Sequence, residues 1–124
     1  MSAILVVDDD QAVLRLVESC LRVHGFQALA APTAREAHEL FEQRKDEIVL
    51  LLADIRMPGT DGPTLARNLL ELKPGLQVLF MSGFAEDDWP ETAFIRRFAF
   101  IGKPFTPGLL IRTVKEMLAA EAAG

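Results

Sequence analysis

The fold prediction rests first on residues 48–62, which read IVLLLADIRMPGTDG. The stretch opens with an unbroken apolar run instead of alternating apolar and polar residues, which indicates a strand buried on both faces. Asp54 follows this run directly, and Gly62 with Pro63 after it is typical of the first turn of a helix. The stretch therefore predicts a buried strand, an acidic loop and a helix in succession, as in a parallel α/β sheet.

Short apolar runs of the same kind recur along the whole chain, with helix-like patterns between them. None of the runs alternates in and out as a half-exposed strand would, so all of them are predicted to be buried. Alternation of strands and helices predicts an α/β fold, a doubly wound five-stranded parallel sheet. The predicted strands are Ile4–Val7, Phe26–Ala31, Ile48–Ala53, Val78–Met81 and Phe98–Ile101.

The helices are predicted from apolar spacing and from residues that favour helix ends. Gly25 is expected just past the end of the first helix, Thr33 at the cap of the second and Thr106 at the start of the last. A fourth helix within residues 86–97 is only weakly patterned. In the first helix, apolar residues at positions i, i+3, i+4 and i+7 are Val13, Leu16, Val17 and Cys20.

Composition indicates one domain spanning residues 1–124, with 50% hydrophobic and 25% charged residues. The net charge of −5 argues against direct binding of nucleic acid, because phosphate backbones attract a basic surface. Cys20, the single cysteine, cannot form an internal disulfide, which suits a reducing cytosol. The N-terminus lacks a signal-peptide pattern, and the longest apolar run is too short to cross a bilayer. We therefore expect a cytoplasmic location and no membrane partner.

Polar residues follow four of the five predicted strands, always at the C-terminal end. Parallel strands bring these ends to one edge of the sheet, where such folds bind ligands. Residues far apart in the chain are therefore expected to meet in one small patch. They are Asp8, Asp9 and Asp10 after the first strand, Asp54 after the third, Ser82 after the fourth and Lys103 after the fifth.

Such a patch predicts a divalent cation and an acyl phosphate. Crowded carboxylates repel one another unless a cation intervenes, and a hard ion with oxygen ligands such as Mg²⁺ (or Mn²⁺) fits this need. Asp54 could then attack phosphorus, as carboxylates do when aspartyl phosphates form. The ion and Lys103 would neutralise charge on the phosphoryl oxygens, and Ser82 would donate a hydrogen bond. Asp10 alone fits a helix N-cap.

Four motifs identify a resemblance to the response-regulator receiver family. LVVDDD at 5–10, ADIRMPGTDG at 53–62, LFMSGF at 79–84 and FIGKPF at 100–105 resemble the signatures of that family and occur in its order. The resemblance covers nearly the whole chain. It implies a flavodoxin-like (βα)5 fold with strand order 2-1-3-4-5.

The resemblance also implies roles for individual residues. Asp8 and Asp9 correspond to the acidic pair that holds the metal, Asp54 to the phosphoacceptor, and the backbone carbonyl of Arg56 to a further metal ligand.

Three more positions complete the implied machinery. Ser82 takes the hydroxyl position and Lys103 the lysine position, with the bond from Lys103 to Pro104 expected in cis. Phe100 falls at the switch aromatic of the family, so Ser82 and Phe100 together are expected to report phosphorylation to the surface.

By this resemblance the chain is a phosphoryl-accepting switch supplied by a histidine kinase or a histidine phosphotransfer protein. It would catalyse its own phosphorylation and dephosphorylation without being a turnover enzyme. Two variants stay open: a C-terminal receiver of a hybrid histidine kinase, whose parent would itself be an enzyme, and a phosphate sink. A homodimer through the predicted fourth helix, fifth strand and fifth helix is a further possibility.

Two other classes of protein fit the sequence less well. A flavodoxin-like binding module needs a phosphate-cradling loop after the first strand, whereas this loop is triple aspartate and would repel phosphate without a metal. A phosphatase with an aspartyl nucleophile usually carries that nucleophile after the first strand, together with an insertion that covers the substrate. In this chain the expected nucleophile, Asp54, follows the third predicted strand, and no such insertion is recognised. Mass spectrometry after incubation with acetyl phosphate and Mg²⁺ would separate these classes.

Overall fold

A computed structural model describes residues 2–83 and 98–123, with side chains described up to residue 120. Within these residues the chain forms one five-stranded sheet in which all neighbouring strands are parallel, in the order β2-β1-β3-β4-β5. The predicted doubly wound sheet and its strand order are confirmed. The strands are β1 Ala3–Val7, β2 Gln27–Ala31, β3 Ile48–Asp54, β4 Gln77–Ser82 and β5 Ala99–Gly102.

The strands lie where the apolar runs predict them, within one residue at either end. Every residue of β1 is buried, as are all residues of β3 except the partly buried Val49. Continuous apolar strands suit a sheet that is covered on both faces, because neither face can be left to water. The hydrophobic core is accordingly divided into two clusters, one on each side of the sheet.

Helices cover both faces of the sheet. Helices α2 (Ala34–Arg44) and α3 (Gly62–Leu72) contribute to one cluster. Helix α1 (Gln11–Val23) and the C-terminal helix (Pro107–Ala123) contribute to the other. This division of the helices between the two faces is the doubly wound arrangement.

The helix ends follow the chemistry of their flanking residues. The side chain of Asp10 accepts hydrogen bonds from the amides of residues 12 and 13, as expected for an N-cap. Thr33 accepts from the amide of Glu36, and the Thr106 hydroxyl oxygen accepts from the amide of Leu109. Gly25 adopts φ 87°, the left-handed conformation that follows many helix ends. These predicted helix boundaries are confirmed.

The buried face of α1 differs from the predicted stripe. Val17 and Cys20 are buried as expected, but Leu16 is 53% exposed and the core is completed by Leu14 and Leu21. The prediction was wrong because α1 is apolar on more than one side. Periodicity cannot tell which of two overlapping stripes faces the sheet. Leu16 therefore lies on the surface.

The C-terminal helix packs Leu110 and Val114 against the sheet, where both are buried. The predicted fourth helix, within residues 86–97, lies outside the described residues. Among the helices that the structure does describe, none is both long enough and apolar enough to cross a membrane.

Candidate functional site

The register of the sheet aligns the C-terminal ends of its central strands. Val7 of β1 pairs with Ala53 of β3, so Asp8 and Asp54 follow neighbouring positions on adjacent strands. On the other side Asp54 pairs with Met81, which immediately precedes Ser82. The predicted convergence at this edge of the sheet therefore follows from strand pairing alone.

Three carboxylates meet at this edge. Oxygen atoms of Asp8, Asp9 and Asp54 all lie within 4.8 Å of one another. Asp8 is fully buried and Asp54 is 7% exposed, whereas Asp9 is exposed. The group is thus open to solvent mainly on the Asp9 side, where an ion or a phosphoryl group could approach.

Among the described residues, Lys103 places its ammonium against these carboxylates. Its ammonium lies 2.8 Å from Asp8 Oδ2 and 3.5 Å from Asp54 Oδ1. Its backbone amide donates a 2.7 Å hydrogen bond to the carbonyl of Ser82, which ties the end of β5 to the end of β4. The bond from Lys103 to Pro104 is cis, as predicted.

Burial and neighbouring charges shift the pKa values of Asp54 and Lys103. Burial raises the pKa of Asp54 to about 6; Lys103 opposes this rise, and the neighbouring carboxylates Asp8 and Asp9 add to it. Burial alone would lower the pKa of Lys103. The hydrogen bond to Asp8 and the charges of Asp54 and Asp8 outweigh that effect, so the pKa of Lys103 is raised. Lys103 is therefore charged at neutral pH, and the site still carries excess negative charge.

This donor set fits a hard divalent cation. Among the described residues, three carboxylates and one ammonium sum to a formal charge of about −2, which a divalent ion would neutralise. The carboxylate oxygens lie close enough together to share one ion. Asp8 already accepts hydrogen bonds from the Asp10 amide and from the Lys103 ammonium. We therefore expect Asp9 and Asp54 to be the main carboxylate ligands of the ion.

The remaining predicted site residues lie around this cluster. Ser82 is 3% exposed and ends β4, opposite Gly102 of β5. Arg56 has an exposed side chain in the loop after β3. Phe100 is 50% exposed on β5 and is not part of the carboxylate cluster.

The sequence predicts Gly62 only as the start of α3, whereas the structure also brings it against the site. Its amide donates a 2.9 Å hydrogen bond to the carbonyl of Ile55, the residue after Asp54. The Asp61 side chain caps the same helix end by accepting from the amide of Thr64. No local pattern predicts this approach, because it depends on how α3 returns to β3.

An apolar groove beside the site also escapes the sequence prediction. It is lined by Val13 and Leu16 of α1 and by Lys103, Pro104 and Phe105 after β5. Apolar surface continues from Leu16 along α1 toward its end and Pro107. The groove's two α1 residues, Val13 and Leu16, belong to the apolar spacing pattern identified in the sequence of that helix.

Comparison with protein families gives one match over most of the chain. The family model described as response regulator receiver domain matches residues 4–115. That range contains the three carboxylates, Ser82 and Lys103, so the matched region includes the whole cluster described above.

Individual relatives agree with this match. The chain is 37% identical over 123 residues to the sensor kinase CckA of Brucella abortus, covering 94% of this chain but only 12% of CckA. It is 31% identical to the response regulator receiver protein CpdR of the same organism, over 97% of this chain and 99% of CpdR. A CheY-like receiver domain protein from Methanospirillum hungatei has a TM-score of 0.88 at 30% identity, covering 99% of this chain and 98% of that one.

Proposed function

The chain belongs to the response regulator receiver family of two-component systems, and from this we propose that Asp54 accepts a phosphoryl group from a phosphohistidine in a reaction that requires Mg²⁺ or Mn²⁺. Residues 1–124 form one receiver domain in this proposal. Its output is a change of protein contacts, so it acts as a signalling domain and not as a turnover enzyme.

The observation that carries the proposal is the position of Asp54 between an acidic pair and a lysine. Asp54 lies among carboxylates that share one small volume, and Lys103 contacts it from the other side. In the proposed step an Asp54 oxygen attacks phosphorus, the bond from phosphorus to the histidine nitrogen breaks, and that nitrogen keeps the electron pair. Asp54 is mostly ionised at neutral pH even with its raised pKa, and so retains the lone pair that the attack uses.

The surrounding residues supply charge and hydrogen bonds to the transferred group. Bound Mg²⁺, held by Asp8, Asp9, Asp54 and the carbonyl of Arg56, would neutralise charge on the phosphoryl oxygens. The Lys103 ammonium is close enough to Asp54 to reach a phosphoryl group there, and Ser82, at the end of β4, would donate a hydrogen bond to that group from its hydroxyl. Each role rests on the site's geometry together with the family resemblance.

The partners follow from this chemistry. The phosphoryl donor is a histidine kinase or a histidine phosphotransfer protein, and the reaction takes place in the cytoplasm. Because the chain spans 12% of the sensor kinase CckA but 99% of CpdR, both an appended receiver of a hybrid histidine kinase and a free-standing regulator have a relative of that form. A phosphate sink is a third variant. A second copy of the chain, bound through the face of the predicted fourth helix, β5 and the C-terminal helix, would be a further partner.

The decisive test is phosphorylation by acetyl phosphate, which needs no partner. With Mg²⁺ present we expect intact-mass spectrometry to show one phosphoryl adduct, and none when EDTA replaces the metal. The adduct should vanish in Asp54→Asn and persist in Asp46→Asn, a matched change at an exposed aspartate.

Two outcomes would contradict the proposal. Full phosphoryl incorporation in Asp54→Asn would assign the acceptor to another residue. Steady release of phosphate without a detectable adduct would favour a hydrolase with an aspartyl nucleophile.

A further inference from the structure

We propose that Gly62 is a positioning residue for Asp54: the missing side chain at the first residue of α3 allows the helix to sit directly on the peptide that carries the acceptor. This inference rests on the proposed role of Asp54. It assigns to Gly62 a part in the reaction in addition to its place at a helix start.

The contact at Gly62 leaves no room for even one carbon atom. A Cβ built on Gly62 would collide with the carbonyl oxygen of Asp54, and would lie 3.0 Å from the carbonyl carbon of Asp54 and 3.2 Å from the Cα of Ile55. All three atoms belong to the main chain, so no side-chain rotation relieves the overlap. Backbone conformation is not the reason for glycine here, since among the described glycines only Gly25 and Gly59 have positive φ.

The two sides of the contact are held in different ways. Gly62 is buried and its amide bonds to the carbonyl of Ile55, while Leu65 and Ala66 anchor the same turn of α3 in the core. Moving α3 outward would therefore open the core beneath it. The acceptor side is held by the sheet, because Asp54 pairs with Met81 of β4, the Ile55 amide donates a hydrogen bond to the Met81 carbonyl, and the Ile55 side chain is fully buried.

Because both sides are anchored, a side chain at position 62 would displace the peptide between Asp54 and Ile55 together with the first turn of α3. Relieving the overlap needs a movement of about 1 Å, a displacement that can cost about a hundredfold in rate when reacting groups must be aligned. The carboxylate of Asp54 moves with its own backbone. The loop from 55 to 61, which begins at the displaced peptide and ends at Gly62, carries Arg56 and moves with it.

The test compares Gly62→Ala with Gly75→Ala. A Cβ on Gly75 meets nothing within 4 Å, and Gly75 has no positive φ, so the control adds the same methyl group where there is room for it. Phosphorylation of both variants and of the unchanged protein is measured against acetyl phosphate concentration with saturating Mg²⁺. Rates are normalised to the folded fraction, which is measured by circular dichroism at low temperature.

We expect the maximal rate of Gly62→Ala to fall about a hundredfold, with little change in the acetyl phosphate concentration at half-maximal rate. Gly75→Ala should match the unchanged protein in both quantities. A purely structural role would lower the melting temperature of Gly62→Ala but leave the normalised maximal rate unchanged, and that result would overturn the inference.

Two further outcomes are also decisive. If the unchanged protein acquires no phosphoryl group on Asp54, the proposed function itself is wrong and the inference falls with it. If Gly62→Ala remains unfolded at low temperature with sucrose added to favour compact states, the glycine is needed for the fold alone, and the positioning role is refuted.

Discussion

At the scale of single residues, the ionisation of Asp54 links the site to stability. Its pKa is raised to about 6 in the folded protein, mainly by burial, so between about pH 4 and 6 the native state binds a proton that the unfolded state has lost. Stability therefore falls as pH rises through this window. Above this pH window Asp54 is ionised in both states, and the burial of its charge lowers the free energy of unfolding by the full amount.

Replacing Asp54 with Asn should remove this cost in the metal-free protein. We expect Asp54→Asn to raise the free energy of unfolding by about 1 to 3 kcal/mol at pH 7.5, since one pKa unit corresponds to about 1.4 kcal/mol. The gain should shrink as pH is lowered from 6 to 4, where Asp54 is protonated anyway. Urea unfolding in EDTA across this range measures it.

The control is Asp46→Asn, a substitution at an exposed position, which should change the free energy of unfolding little at any of these pH values. A stability gain for Asp54→Asn that stays constant from pH 4 to 7.5 would show that the charge of Asp54 is not its source.

Asp9 should contribute to metal binding at little structural cost. It is exposed, whereas Asp8 is fully buried and bonded to Lys103 and to the Asp10 amide. We expect Asp9→Asn to weaken Mg²⁺ binding at least about tenfold, equivalent to about 1.4 kcal/mol. Its free energy of unfolding without metal should change by no more than about 0.5 kcal/mol. Calorimetric titration with Mg²⁺ measures the affinity.

Asp10→Asn is the matched control, because it removes one charge from the same loop while asparagine still caps α1. We expect a smaller loss of affinity in this variant. Equal losses in the two variants would indicate a general effect of charge and would remove Asp9 from the ligand set.

At the scale of elements, helix α1 contributes residues both to the core and to the exposed groove beside Lys103. Leu14, Val17 and Leu21 pack into the core, while Leu16 lies in the groove beside Lys103. Because the groove adjoins the proposed acceptor site, a protein that presents a phosphohistidine to Asp54 would also cover it. Burying such a leucine contributes about 1.5 to 3 kcal/mol.

Leu16→Gln should therefore slow phosphoryl transfer from a protein donor, but not from acetyl phosphate. With a phosphorylated histidine kinase that labels the unchanged protein, we expect the transfer rate to fall about tenfold, a change of about 1.4 kcal/mol. Leu72→Gln makes the same substitution at another exposed leucine, on α3, and should leave both rates unchanged. Equal slowing with both donors would place the effect in the site and not in docking.

At the scale of the whole molecule, β4 and β5 connect the site to the outer surface. Ser82 pairs with Gly102, and two residues earlier Phe80 pairs with Phe100. We expect a phosphoryl group on Asp54 to attract the Ser82 hydroxyl, because a charge-assisted hydrogen bond is stronger than a neutral one. We expect that movement to free space into which the Phe100 ring, now 50% exposed, would turn.

The measurement is NMR of the protein with Mg²⁺, with and without beryllofluoride as a phosphoryl mimic. Amide shifts should extend from the loops around Asp54 to Phe100, while β2 at the other edge of the sheet stays unchanged. In Ser82→Ala the mimic should still bind, but the shift at Phe100 should be lost. Shifts that never reach Phe100 in the unchanged protein would refute this switching model.

The architecture could be predicted from the sequence because its signals are local. Buried parallel strands need unbroken apolar runs, and helix ends need particular residues such as Thr33, so both can be recognised in a few consecutive positions. Convergence of Asp8, Asp54 and Lys103 followed as well, since parallel strands always bring the same ends together. For these features the chain order already implies the arrangement in space.

Other features depended on how the elements pack, and only the tertiary structure decided them. It showed which apolar stripe of α1 faces the sheet, and so that Leu16 is exposed beside Pro104 and Phe105. It likewise brought Gly62 against the backbone of Asp54, eight positions earlier in the chain. Both depend on distances of a few ångströms between elements, and such distances are set by the joint packing of many side chains rather than by any local pattern.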